Sequence, residues 1–170
     1  MEELAGLLEL IARPLVAVIG AGILGWEREV HKKPAGLRTQ MMVGLGASMF
    51  TLATLEFYRG MSLAGGTVRI DPLRVVEGVI GGIGFLGAGC IIQARGSVEG
   101  ITTAATIWVV GALGVCCGLG YYLFAATTVL LGLIVLSGLG FLEKRVLEPR
   151  RARRKATPRE SHELDGDAGR

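Results

Sequence analysis

Apart from the opening Asp71, Glu77 is the one acid in a long apolar, glycine-rich segment, D-P-L-R-V-V-E-G-V-I-G-G-I-G-F-L-G-A-G over residues 71–89. A carboxylate within a membrane helix costs a few kcal/mol unless it is paired, protonated or hydrated, so Glu77 is a candidate for interacting with an ion. Arg74, three residues earlier, offers a second reading, an ion pair near the helix end. Spacing alone leaves both open. Glu27, Glu29 and His31 form a second cluster, in W-E-R-E-V-H-K-K-P-A-G-L-R-T over residues 26–39. Mg²⁺ favours oxygen ligands with few competing charges. Here Arg28, Lys32, Lys33 and Arg38 surround the three candidate ligands. A salt-linked loop fixing two helix ends is the better expectation. Thr102, Thr103 and Thr106 put hydroxyls at the start of another apolar run. They suit hydrogen bonds across helices or back to the backbone.

No catalytic constellation stands out. The two histidines, His31 and His162, fall in a loop and in the polar tail, and no serine or cysteine has a base beside it in sequence. The expectation is a non-enzyme with no cofactor and no metal centre. Gly82 to Gly87 match G-x-G-x-x-G, but a dinucleotide site needs a preceding strand and a βαβ unit. Pro72 instead opens a membrane-length run. Close helix packing explains the glycines better, with Gly78 and Gly82 forming one G-x-x-x-G pair and Gly114 and Gly118 another. Cys90, Cys116 and Cys117 all lie in apolar runs, as small buried thiols do.

The elements that hold these residues are membrane helices. Hydrophobic residues make up 51% of the chain, and 27 of its residues are glycine, a composition suited to helices packed in lipid. From Ile101 to Leu142 there are 42 residues without Asp, Glu, Lys or Arg. As one helix they would reach roughly 60 Å, twice a hydrocarbon core of about 30 Å. The run must reverse, and Gly118-Leu119-Gly120 before Tyr121-Tyr122 is the natural place. Residues 39–55 supply another span, and a further one starts at the N-cap Asp71 with Pro72 behind it and runs to about Ile92. The first span must borrow Leu10 to Ala12, leaving Arg13 to snorkel to the interface beside Glu9. Residues 93–100 read as a loop. Five helices result. With five spans, one face carries fourteen basic residues, among them Arg28, Lys32, Lys33, Arg38 and Arg95, and the other four. The N-terminus is expected outside and the C-terminus in the cytoplasm. Met1-Glu2-Glu3 lacks the positive start of a cleavable signal peptide. The fold class is thus all-α, a polytopic membrane helix bundle over residues 1–142. Residues 143–170 form a basic tail expected to be disordered and cytoplasmic. Its cluster from Arg150 to Lys155 reads as a topology anchor at the lipid surface. No fold or aromatic platform accompanies that charge, so nucleic acid is not an expected partner.

Several of these segments occur together, and in the same order, in a known family. G-W-E-R-E (25–29), K-P-A-G-L-R-T (33–39), V-G-L-G-A (43–47), D-P-L-R-V (71–75), G-I-G-F-L-G-A-G (82–89) and G-I-T-T-A-A-T-I-W (100–108) carry it. Over about Gly20 to Leu142 the sequence resembles the MgtC/SapB family of bacterial membrane proteins. The resemblance implies an inner-membrane, multi-pass protein of about five helices, linked to adaptation to low Mg²⁺ or to envelope homeostasis. It singles out Glu27, Arg28, Arg38, Asp71, Arg74, Gly84, Gly87, Thr102, Thr103 and Trp108. It also implies action through contacts with other membrane proteins, with cation transport as the alternative, and the glycine faces suit a homodimer. The sequence departs from the family after the last helix, where a short polar tail stands in place of the soluble domain of MgtC-like members.

Overall fold

The computed structural model describes residues 1–63, 71, 73–94 and 97–138. Five helices form among them: α1 (Glu2–Val30), α2 (Leu37–Leu63), α3 (Leu73–Gly89), α4 (Ile101–Gly118) and α5 (Tyr122–Leu133). A π-helical turn, Ile134–Gly138, follows α5. The chain divides into two compact units, Met1–Ile134 and Val135–Arg170. All packing described below lies within the first. The expected end of the last helix at Leu142, and the tail, lie outside the described residues.

Three helical stretches are long and apolar enough to cross a membrane: Gly6–Val30, Leu37–Met61 and Ile101–Gly118. The 17 residues of α3 rise about 26 Å, somewhat less than the hydrocarbon core. The all-α membrane bundle expected from composition is what forms, with helix ends that differ from expectation. Helix α1 begins a full two turns before Leu10. Helix α2 continues past Glu56, whose carboxylate accepts from Arg59 Nη1 at 2.8 Å. Residues 92–99 are not a plain loop: β1 (Ile92–Ala94) and β2 (Ser97–Glu99) pair antiparallel, Gln93 opposite Val98. Two apolar residues at the end of α3 followed by a turn are too short a run to show period 2 in sequence.

Helix α4 is central and is packed by the other four. It runs antiparallel to α1 and parallel to α2, as the glycines record. A Cβ at Gly114 would lie 2.5 Å from the Gly44 carbonyl oxygen, and one at Gly118 would lie 2.7 Å from that of Ser48. Gly44 in turn faces Ala21 and Ala17 of α1. Side chains are arranged inside out relative to a water-soluble protein. Ala17, Ala21, Ala47, Ser48 and Thr51 are buried, while Leu15, Ile19, Ile23, Phe50, Leu123 and Leu131 are exposed. Small residues inside and large apolar ones outside suit a lipid solvent, where close backbone approach holds helices together. The turn after α4 is a Schellman motif: Gly120 N donates to Cys117 O at 2.9 Å and Tyr121 N to Cys116 O at 2.8 Å. Gly120 has φ +79°, which its lack of a Cβ permits.

Candidate functional site

The polar groups gather at the two ends of the bundle, and one arginine of α1 serves each. At the first end Arg28, in the last turn of α1 and 4% exposed, donates from Nη2 to Thr103 Oγ1 at 2.9 Å. Thr103 sits in the first turn of α4, so this bond ties the end of α1 to the start of α4. Beside it Gln40, fully buried, donates from Nε2 to Ala35 O at 3.1 Å. Gly25 of α1 makes room: a Cβ there would meet Leu37 Cα at 2.9 Å and Gln40 Cβ at 3.0 Å. Glu29 Oε2 accepts from Leu37 N at 3.1 Å and so caps α2. Glu27 Oε1 lies 3.2 Å from His31 Nδ1. Glu27 Oε2, Arg28 Nε and Gln40 Oε1 are buried at this end without a hydrogen-bond partner among the described residues. The loop is therefore held mainly by caps and carbonyls. Among the described residues Lys32, Lys33 and Arg38 make no ion pair, so the expected salt-linked loop forms only in the contact of Glu27 with His31.

At the other end Arg13 is 9% exposed and does not snorkel. Its Nη1 donates to Gly118 O at 3.0 Å, and its Nη2 to Glu9 Oε2 at 2.6 Å. The last carbonyls of a helix have no intrahelical partner and carry partial negative charge, so a guanidinium at the C-terminus of α4 is stabilising there. The Glu9 pair was legible from its i, i+4 spacing; the α4 cap was not.

Helix α3 packs on α4 through Ile83, which fills the space left by Gly111, and through Gly87, where a Cβ would lie 3.4 Å from that of Ala104. Asp71 caps it as expected, Oδ1 accepting from Leu73 N at 3.0 Å; Pro72 lies outside the described residues. The G-x-G-x-x-G match is wholly inside this helix, with no strand before it among the described residues, which removes the dinucleotide reading. Gly78, Gly82 and Gly84 have nothing within 4 Å of a Cβ. The expected close pair at Gly78 and Gly82 is thus not made among the described residues, whereas the one at Gly114 and Gly118 is. Glu77 and Arg74 are both exposed and unpaired among the described residues, so of the two readings left open by their spacing the ion pair does not form. Thr102 and Trp108 are exposed on α4; the Thr102 carbonyl accepts from Thr106 Oγ1 at 2.8 Å.

Between α2 and α3 an open cleft of about 1000 Å³ runs along the bundle, with Arg38, Thr39 and Arg74 among its lining residues. Of the residues singled out from the sequence, the structure brings Arg28 to Thr103 and puts Arg38 and Arg74 on one cleft. Glu27 and Asp71 serve their own helix ends, and Gly84, Glu77 and Trp108 stay apart. Arg13, Gln40 and Ser48, buried polar residues that organise the bundle, carry no sequence signal that marks them as buried. Among the described residues no three His, Cys, Asp or Glu side chains come together as metal ligands would.

Comparison with known proteins places this arrangement. Protein MgtC of Salmonella typhimurium is 36% identical over 133 residues, covering 77% of this chain and 53% of the relative. YhiD of Escherichia coli K12 is 39% identical over 114 residues, 67% of this chain and 53% of the relative. Protein SrpB of Synechococcus elongatus is 36% identical over 141 residues, covering 78% of this chain and 75% of that one. The chain thus spans about half the length of YhiD and MgtC. No solved structure matches it. The MgtC family model matches residues 15–145, which include the packed segments of all five helices and the Arg28–Thr103 tie but not Arg13, and the chain is a membrane protein of the MgtC family.

Proposed function

We propose that the chain is a multi-pass protein of the bacterial inner membrane, with its N-terminus outside and C-terminus in the cytoplasm. In this reading it supports growth under Mg²⁺ limitation or envelope homeostasis without catalysing a reaction, by binding other membrane proteins or a second copy of itself. The observation that carries it is Glu77. This carboxylate is exposed on α3 with no partner among the described residues, about 6 Å from the helix start. Its helical face continues through Gly81, Gly84 and Ala88, all exposed, and a Cβ at either glycine meets nothing within 4 Å. A bare carboxylate on a lipid-facing surface is costly, and small residues beside it admit another helix closely enough to supply a donor. A photo-crosslinking residue at Gly84 should capture a partner from intact membranes, and Glu77→Gln should reduce the capture. A deletion strain should lose growth as Mg²⁺ falls and regain it with the wild-type gene but poorly with Gly84→Leu. Capture of lipid alone, with full rescue by both variants, would reject this reading.

The same carboxylate supports a second reading, Mg²⁺ conduction. The relative in Escherichia coli K12 bears the name "Putative magnesium transporter YhiD". Purified chain in liposomes should then pass Mg²⁺ faster than empty vesicles and lose that flux in Glu77→Gln. Flux equal to that of empty vesicles removes conduction.

A further inference from the structure

The cleft between α2 and α3 lies on the side of α3 away from Glu77. Its walls are apolar, with Met42, Val43 and Phe50 from α2 and Val75, Val79 and Leu86 from α3. Gly46, Gly78 and Gly82 keep it open, since a Cβ at any of them meets nothing within 4 Å. On α2 the lining runs from Arg38 to Thr54, about 24 Å along the axis, most of a hydrocarbon core. Helices α2 and α3 are antiparallel, because α3 feeds the start of α4, which runs parallel to α2. Arg38 and Arg74 therefore stand at opposite mouths. No carboxylate lines the cleft, and neither arginine has an ion pair among the described residues.

We propose that an anionic phospholipid occupies this cleft, with its phosphate on Arg38 and its acyl chains along the apolar walls. Charge decides between a lipid and a protein helix. Whichever mouth is cytoplasmic, the residues flanking another spanning helix there are predominantly basic and would face an unpaired arginine. A second copy related by a two-fold axis along the membrane normal would set each arginine end against its like. Phosphates lie at the hydrocarbon boundary of both leaflets, and basic pockets between membrane helices hold anionic headgroups. The Arg38 mouth is the better equipped. It is the first turn of α2, where the Arg38 and Thr39 amides and the Thr39 hydroxyl accept or donate no hydrogen bond among the described residues. Glu29 already takes the helix N-terminus at Leu37 N, so the phosphate rests on the Arg38 guanidinium and the Thr39 hydroxyl. The volume, about 1000 Å³, is at the upper end for a ligand pocket, as two acyl chains require.

The test uses the full chain reconstituted in nanodiscs of equimolar phosphatidylglycerol and phosphatidylcholine, released into detergent and read by native mass spectrometry. Wild type should retain phosphatidylglycerol over phosphatidylcholine. Arg38→Gln should lose about tenfold of that preference, as removal of a charge-assisted bond predicts, and Arg38→Lys should restore part of it. Gly82→Leu, which fills the cleft from a position with free space, should lower retention of both lipids while leaving the melting temperature unchanged. Inorganic phosphate added in excess should not displace the lipid, which separates a lipid site from a phosphate site. Equal retention of the two lipids, or wild-type retention in both Arg38→Gln and Gly82→Leu, overturns the proposal. So does displacement by phosphate alone, or a disulfide-linked dimer formed through Gly82→Cys.

Discussion

A guanidinium that is 4% exposed and bonded to one hydroxyl leaves little room for substitution on either side. Thr103→Val keeps the volume and removes the acceptor, so Arg28 would be left buried with no side-chain partner. An interhelical bond in a membrane protein averages well under the 1.5–3 kcal/mol typical of bonds to charged groups in water-soluble proteins. The expected loss is therefore about 1–2 kcal/mol in reversible unfolding of the purified chain in detergent. Thr103→Ser should retain most of the stability. Arg28→Met removes donor and charge together and should cost less than Thr103→Val, because the hydroxyl it leaves behind can donate to a carbonyl of its own helix, whereas Thr103→Val strands a buried charge. Equal losses for all three would mean that packing volume, and not the bond, holds this end. The two residues were each visible in sequence, one as a loop cation and one as a helix-start hydroxyl. Their partnership was not, because 75 positions separate them and no local pattern records which helix ends meet.

Two G-x-x-x-G pairs with identical spacing have opposite fates among the helices. Gly114 and Gly118 of α4 touch the backbone of α2, and Gly78 and Gly82 of α3 face open space. The motif states that a helix can be approached closely; it does not name the neighbour. Gly114→Ala would set its Cβ 2.5 Å from the Gly44 carbonyl oxygen, a backbone atom that moves only if α2 moves. It should destabilise the bundle by about 3 kcal/mol. Gly82→Ala should be neutral or stabilising by up to about 1 kcal/mol, since nothing opposes the methyl and alanine is the better helix former. Thermal melts of both variants decide it, and similar effects would mean the α2–α4 contact is loose. Other elements were legible because their signals are local. Gly118-Leu119-Gly120 marks a reversal by residues that favour positive φ, and Asp71 marks a helix start by its side-chain oxygen. The β1–β2 hairpin was not, because three-residue strands leave no periodicity to read.

For the molecule as a whole the open quantity is which end of the bundle faces the cytoplasm, and charge predicts it. The end where α1 stops and α2 and α4 begin carries Lys32, Lys33 and Arg38, exposed and without ion pairs among the described residues. The opposite end has one such cation among the described residues, Arg74, with Arg13 buried under α4, Arg59 paired with Glu56, and Tyr121 and Tyr122 exposed at the turn. Unpaired cations resist transfer across the membrane, at about 2.3 kcal/mol per charge per 100 mV, whereas a buried or paired arginine presents less charge to the insertion machinery. Arginines and lysines close to span ends set orientation, so the Lys32–Arg38 end should stay inside. Alkaline phosphatase fused after Gly60 should be active, and the same reporter fused after Lys33 inactive. Changing Lys32, Lys33 and Arg38 together to Gln should lower the activity after Gly60 and raise it after Lys33. The reverse pattern in the unmodified chain would move Arg38 to the outer leaflet. Arg74 would then be the arginine facing the cytoplasmic leaflet, so the fusions also fix which mouth of the α2–α3 cleft meets the more anionic lipid surface.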